Sequence, residues 1–160
     1  MENNIFAAQS EAYMRLALEE AHQAALAMET PVGAVIVRDS KVIATGRNRR
    51  EECQNALMHA EIEALNKACE ALGRWRLSDC DLYVTLEPCP MCAGALINAR
   101  IRRVIFGAYD AKNGSLGSVV DLSALPYTHK MTVDGGVLRE ECAAELSDFF
   151  KKLRKKTVLP

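Results

Sequence analysis

A chain of 160 residues suits one domain around one core, and a content of 49% hydrophobic and 26% charged residues excludes a disordered polypeptide. No apolar run approaches the roughly 18 residues needed to cross a bilayer, and Met1-Glu2-Asn3-Asn4-Ile5-Phe6 lacks the basic start and apolar middle of a secretory leader, so a cytoplasmic location is expected. A net charge of −1 excludes a globally basic nucleic-acid binder but leaves room for local basic patches.

Taken in chain order, Ser10 is the expected N-cap of a first helix running to about Met28, with Tyr13, Leu16, Ala17, Ala21, Ala24 and Met28 as its apolar stripe. Gly33–Val37 and Val42–Gly46 read as strands joined through Asp39-Ser40 in a hairpin. The first strand is apolar on both faces, as a central strand covered on two sides would be. A second helix is expected from about His59 to Leu72, then a strand over Leu82–Leu86 and a short helix from Pro90 to about Ala99. Arg103–Gly107 reads as a strand, the Gly-rich stretch Asp110–Ser118 as a loop, and Met131–Val133 as a short edge strand. The last helix carries Cys142, Leu146, Phe149, Phe150 and Leu153 on one face, with the two phenylalanines expected in the core. This alternation predicts an α/β fold, a three-layer α/β/α domain with a mixed five-stranded sheet, filling residues 1–160 as one unit.

Six cysteines in a chain without a leader read as reduced thiols, and a close pair among them then points to metal or redox chemistry. Cys89 and Cys92 have the C-x-x-C spacing that brings two sulfurs to one ion. They sit where a strand turns into a helix, so unpaired amides and the helix dipole favour the thiolate that a metal requires. His59 opens the other helix. Glu61 shares a face with Ala64, Leu65, Ala68 and Leu72, and a carboxylate at the head of an apolar stripe is costly unless a cation offsets it. Alone, the cysteine pair also fits a redox couple or half of a structural zinc site, and a lone His or Glu most often has no special role. A structural zinc needs a fourth ligand, and Cys53, Cys69, Cys80, Cys142, His22 and His129 offer no matching pair. Three ligands and a water form the catalytic arrangement, in which zinc lowers the water's pKa to about 7.

His59-Ala60-Glu61 with Pro88-Cys89-Pro90-Met91-Cys92 resembles the zinc-dependent cytidine deaminase superfamily. The resemblance implies that His59, Cys89 and Cys92 hold one Zn2+ per subunit. It makes Glu61 the catalytic general acid/base, protonating a ring nitrogen and then carrying a proton to the departing ammonia. Over nearly the whole chain the sequence is similar to one branch, the bacterial tRNA-specific adenosine deaminases. The similar stretches are Pro31–Val35, Gly46–Arg49, Thr85–Cys89, Cys92–Ala95, Asp110–Ser118 and Leu146–Phe150. That branch implies hydrolysis of adenosine to inosine at the wobble position of a tRNA anticodon. It also implies base binding by Asn48, contact of Asp110 with flanking nucleotides, and a homodimer whose partner helps line the site.

Turning a loop base out of its stack calls for contacts to neighbouring nucleotides and a basic mouth. Arg47, Arg49 and Arg50, then Arg100, Arg102 and Arg103, and finally Lys151, Lys152, Arg154, Lys155 and Lys156 are the basic clusters. Arg50 and Asn55-Ala56-Leu57-Met58 depart from the branch's usual pattern, and Tyr109 stands beside Asp110. The competing function is deamination of a free base or nucleoside such as guanine, adenosine or cytidine. A binding module on the same scaffold is a further class, against which the intact Glu61 argues.

Overall fold

A computed structural model describes residues 2–157. Met1, where the segment read as too polar for a leader begins, lies outside the described residues. The elements run α1 (Glu2–Leu26), β1 (Gly33–Arg38), β2 (Lys41–Arg47), α2 (Ala60–Leu72), β3 (Asp81–Leu86), α3 (Pro90–Asn98), β4 (Arg103–Ala108), a 3-10 turn at Leu122–Ala124, β5 (Thr132–Gly135) and α4 (Arg139–Thr157). The five strands form one mixed sheet in the order β2-β1-β3-β4-β5. β1 pairs antiparallel with β2 and β3, while β3, β4 and β5 run parallel.

The strand period sorts the core into two layers. Ala34, Ile36, Leu82, Val84, Val104 and Phe106 face α2 and α3, joining Ala60, Ala64, Ala68, Ala93 and Leu96. Val35, Val37, Tyr83 and Ile105 face the other way, joining Met14 and Ala17 of α1 and Cys142 of α4. The three-layer α/β/α fold is thus observed, with β1 buried on both faces as its sequence required. No helix among the described residues is long and apolar enough to cross a membrane.

Two glycines set how closely helices approach the sheet. A Cβ on Gly33 would lie 2.0 Å from the Ala17 carbonyl oxygen of α1, and one on Gly46 would lie 2.2 Å from the Ala60 oxygen of α2. The hairpin between β1 and β2 turns through Asp39 and Ser40 at φ 48° and 60°, the two left-handed residues of a type I′ turn. Ser40→Gly removes the strain of a left-handed non-glycine residue and leaves the carbonyl that accepts from the Tyr13 hydroxyl. Thermal unfolding should show a gain of roughly 0.5–1 kcal/mol, and a loss would mean that the turn is not strained.

Two expectations for α1 are corrected. Ser10 is no N-cap, because the helix begins eight residues earlier and Ser10 is buried on its inner face. Residues 4–9 are exposed, so the apolar periodicity that locates a helix is absent there. The inner stripe is Ser10, Met14, Ala17, Ala21 and Ala24; Leu16 is exposed, and so is Met28, at φ 62°. Met28 occupies the left-handed position that ends α1, where the Glu29 amide donates back to the Ala24 carbonyl.

Candidate metal centre

The parallel strands carry their chain toward one end of the sheet, and the centre forms there. β3 ends at Leu86, and Glu87-Pro88 leads into Cys89, the N-cap of α3 at φ −70° and ψ 171°. Pro90 takes the first helical position, where its missing N–H has no partner to lose. Cys92 follows in the first turn, fully buried. His59 is the N-cap of α2, extended at φ −81° and ψ 158°, and its side chain makes no cap hydrogen bond. The ring turns to the cysteines instead, with Nδ1 3.6 Å from each of the Cys89 and Cys92 sulfurs.

These three donor atoms lie within 4.8 Å of one another. Among the described residues they are the one such cluster, and no fourth protein ligand joins them. Cys53 is exposed, and Cys142 packs against Gly107 in the opposite layer. A hydrogen bond from the Cys92 thiol, with the His59 ring against the same sulfur, holds the Cys89 thiol down at about 4. The same bond together with burial pushes the Cys92 thiol up, and Cys89 raises His59 against the effect of burial. A thiolate is therefore available at Cys89. Glu61 is buried at the head of the α2 stripe, where loss of hydration pushes its carboxyl upward, and it faces Cys92 without entering the donor cluster.

Asn48 lies just past β2, on the loop joined to the start of α2 by the bond from the Arg49 amide to the Met58 carbonyl. Its buried side chain donates to the Thr30 carbonyl and accepts from the Arg50 amide. Asp110 follows β4 at the same end of the sheet and accepts from the Lys112 and Asn113 amides, closing an Asx-type turn. The Asn55–Met58 segment makes a turn of its own, with Leu57 N–H donating to the Asn55 side chain. Tyr109 packs edge-on against Phe106 and under Arg139, toward the α4 side.

The basic clusters separate sharply. Arg47 pairs with Glu52, and Arg49 pairs with Glu52 and Glu63, so both tie down loops. Arg102 and Arg103 do not flank the centre as expected. Arg103 is in register with Asp81 at the start of β3, which places them, and Arg100 before them, at the opposite end of the sheet. The crossover explains this, because α3 carries the chain back before β4 begins. Lys151, Lys152, Arg154, Lys155 and Lys156 are exposed on the last turns of α4. Phe149 is half-buried and Phe150 exposed, so neither is core. This end of α4 lies beside the end of α1, the two forming an open groove of about 510 Å³ lined by Leu26, Met28, Phe149, Lys152 and Leu153.

Sequence reasoning missed three buried carboxylates around the centre. Glu29 accepts from the Glu51 and Glu52 amides, and Glu63 from the Arg47 amide and the Arg49 guanidinium. Glu87 accepts from the amides of Asp110, Leu116 and Ser118. Each ties a loop at the site end of the sheet. Only Glu63 carried a signal, as an acidic residue on the flank of the α2 stripe.

A profile of the MafB19-like deaminase family matches residues 8–154. The tRNA-specific adenosine deaminase of Bacillus subtilis (strain 168) is 48% identical over 149 residues, covering 92% of this chain and 92% of that protein. The chain belongs to the tRNA-specific adenosine deaminase family. The tRNA-specific adenosine deaminase of Agrobacterium fabrum is 47% identical, over 89% of this chain and 94% of that one. A solved structure from work on A-to-I editing by tRNA:A34 deaminases at the wobble position of transfer RNA matches with a TM-score of 0.82 and 47% identity, over 84% of this chain and 99% of that chain. A guanine deaminase structure from Nitrosomonas europaea matches with a TM-score of 0.73 and 30% identity, over 87% and 83%. The deaminase fold is therefore shared with a free-base enzyme, and membership of the family rests on the end-to-end sequence match.

Proposed function

We infer that this protein converts adenosine to inosine by hydrolysis at the wobble position of a tRNA anticodon. The observation that carries the reading is a His59-Cys89-Cys92 donor cluster beside buried Glu61, in a chain matched along nearly its whole length by tRNA-specific adenosine deaminases. In the reaction, water adds at C6 of adenine, the C6–N bond breaks, and ammonia leaves.

The donor set suits Zn2+. Zinc bonds of about 2.3 Å to sulfur and about 2.0 Å to nitrogen, set at tetrahedral angles, place S and N roughly 3.6 Å apart. Both His59–cysteine separations are 3.6 Å. When bound, zinc supplies Lewis acidity that makes water nucleophilic at neutral pH. His59, Cys89 and Cys92 are the proposed ligands. Glu61 is the proposed proton carrier, delivering a proton to the ring nitrogen and then to the leaving amine. Its burial supports that role, because a carboxyl held above its usual range by loss of hydration holds a proton more readily and can pass it on.

Asn48 and Asp110 are the proposed contacts to the base and its neighbours, both at the site end of the sheet. The exposed basic turns of α4 suit a polyanionic partner. The protein is proposed to act in the cytoplasm as a homodimer, with exposed Val119, Val120, Leu125 and Tyr127 as an apolar surface near α3 for the second copy. Zinc-loaded protein incubated with a tRNA bearing adenosine at position 34 should yield inosine there, and release no ammonia from free adenosine, guanine or cytidine. Ammonia from the free compounds alone would overturn the tRNA reading. Sedimentation of the same preparation as a monomer would remove the dimer.

A further inference from the structure

Glu87 is 1% exposed and stands two residues before Cys89. A buried carboxylate needs donors, and this one collects them from a single loop. Oε1 accepts from the Asp110 amide at 3.4 Å and from the Ser118 hydroxyl at 2.5 Å. Oε2 accepts from the Leu116 amide at 3.2 Å and the Ser118 amide at 3.1 Å. The Ser115 amide donates to the Pro88 carbonyl at 2.9 Å, so the loop is fastened to the cysteine turn at two adjacent residues. Gly114 leaves the space that the carboxylate fills, since a Cβ there would lie 2.2 Å from Oε2.

The loop is thus shaped by one side chain at its centre. Its outer residues, Ala111–Asn113, Gly117 and Ser118, are exposed. They follow β4 at the end of the sheet where Cys89 and Cys92 sit. A free base would fill only the centre itself, whereas a polynucleotide carries neighbours on both sides of its target base and must meet the walls around it. We propose that Glu87 is a positioning residue: it holds residues 110–118 in the shape that receives the nucleotides flanking the target base, without touching substrate or metal. This rests on the tRNA reading above.

Glu87→Gln keeps the size of the side chain but sets an NH2 group against N–H donors. The expected result is a KM for an anticodon stem-loop raised about tenfold with kcat within about threefold. Zinc content should stay at that of the unsubstituted protein. Ser118→Ala, which loses only the hydroxyl contact, should move KM in the same direction by about threefold. Amide exchange of Leu116 and Ser118 should quicken in Glu87→Gln, while that of α2 stays unchanged. If Glu87→Gln fails to fold or to hold zinc, Ser118→Ala and Gly114→Ala decide by the same KM shift.

A fall in kcat at unchanged KM, or unaltered exchange in the loop, would overturn the proposal. Failure of the unsubstituted protein to deaminate tRNA would sink the functional reading instead, and the exchange measurement would still report on the clamp.

Discussion

Glu61→Gln should leave zinc content unchanged while turnover on tRNA falls by about 10²- to 10⁴-fold, the range that a positioned proton carrier contributes. Glutamine has nearly the same shape and hydrogen-bonding reach, but it cannot take a proton and return it. The metal should persist because Glu61 lies outside the cluster of His59, Cys89 and Cys92. Stability should rise slightly or hold, since burial works against the charged carboxylate at this position. Metal analysis, single-turnover kinetics and thermal unfolding on one preparation separate these effects. Loss of the ion with Glu61→Gln would make the carboxylate a ligand, and undiminished turnover would end its role as proton carrier.

Gly46→Ala is expected to destabilise the fold by about 3 kcal/mol or more, beyond the usual cost of overpacking because the obstruction is backbone. The added Cβ would meet the Ala60 carbonyl oxygen at 2.2 Å and the Ala64 nitrogen at 2.7 Å, and neither can swing aside as a side-chain tip would. The strain falls on the first turns of α2, which follow His59 and carry Glu61. Weaker metal retention should therefore accompany the lower melting temperature. Gly94→Ala is the matched control, because it lies within α3 and its Cβ would meet nothing within 4 Å. Relative to glycine it should gain roughly 0.5–1 kcal/mol. Equal effects at the two positions would show that helix approach at Gly46 is looser than described.

The residues that make the centre were legible because each is abnormal for its place. Glu61 interrupts an apolar stripe, and Cys89 and Cys92 bracket a helix start. The strands were legible because β1, β3 and β4 are short, rich in β-branched residues and apolar at successive positions, as strands of a sheet covered on both faces are. What escaped was decided by tertiary partners. Glu29 and Glu87 read as ordinary acidic residues, since the amides that receive them lie up to 31 positions away. Arg47 and Arg49, at and just past the end of β2, read as a basic patch until Glu52 and Glu63 meet them. Arg102 and Arg103 are near α3 in sequence but far from its cysteines in space. Phe149 and Phe150 fit a helical stripe, yet that stripe continues past the sheet that would bury it.

The proposed metal ligands sit on different elements, His59 being 30 positions from Cys89 and 33 from Cys92. An ion held by all three closes α2 and β3 into a ring that the unfolded chain could keep only by giving up configurations. By analogy with a disulfide across a loop of similar length, that restriction is worth about 3.6 kcal/mol. Cys92 adds little to this topological effect, since it lies within the first turn of α3 beside Cys89. An ion bound there for the chemistry would thus also act as a removable cross-link between the two halves of the α2–α3 layer. Loss of metal and loosening of that layer then become one event, seen from the reaction and from the fold.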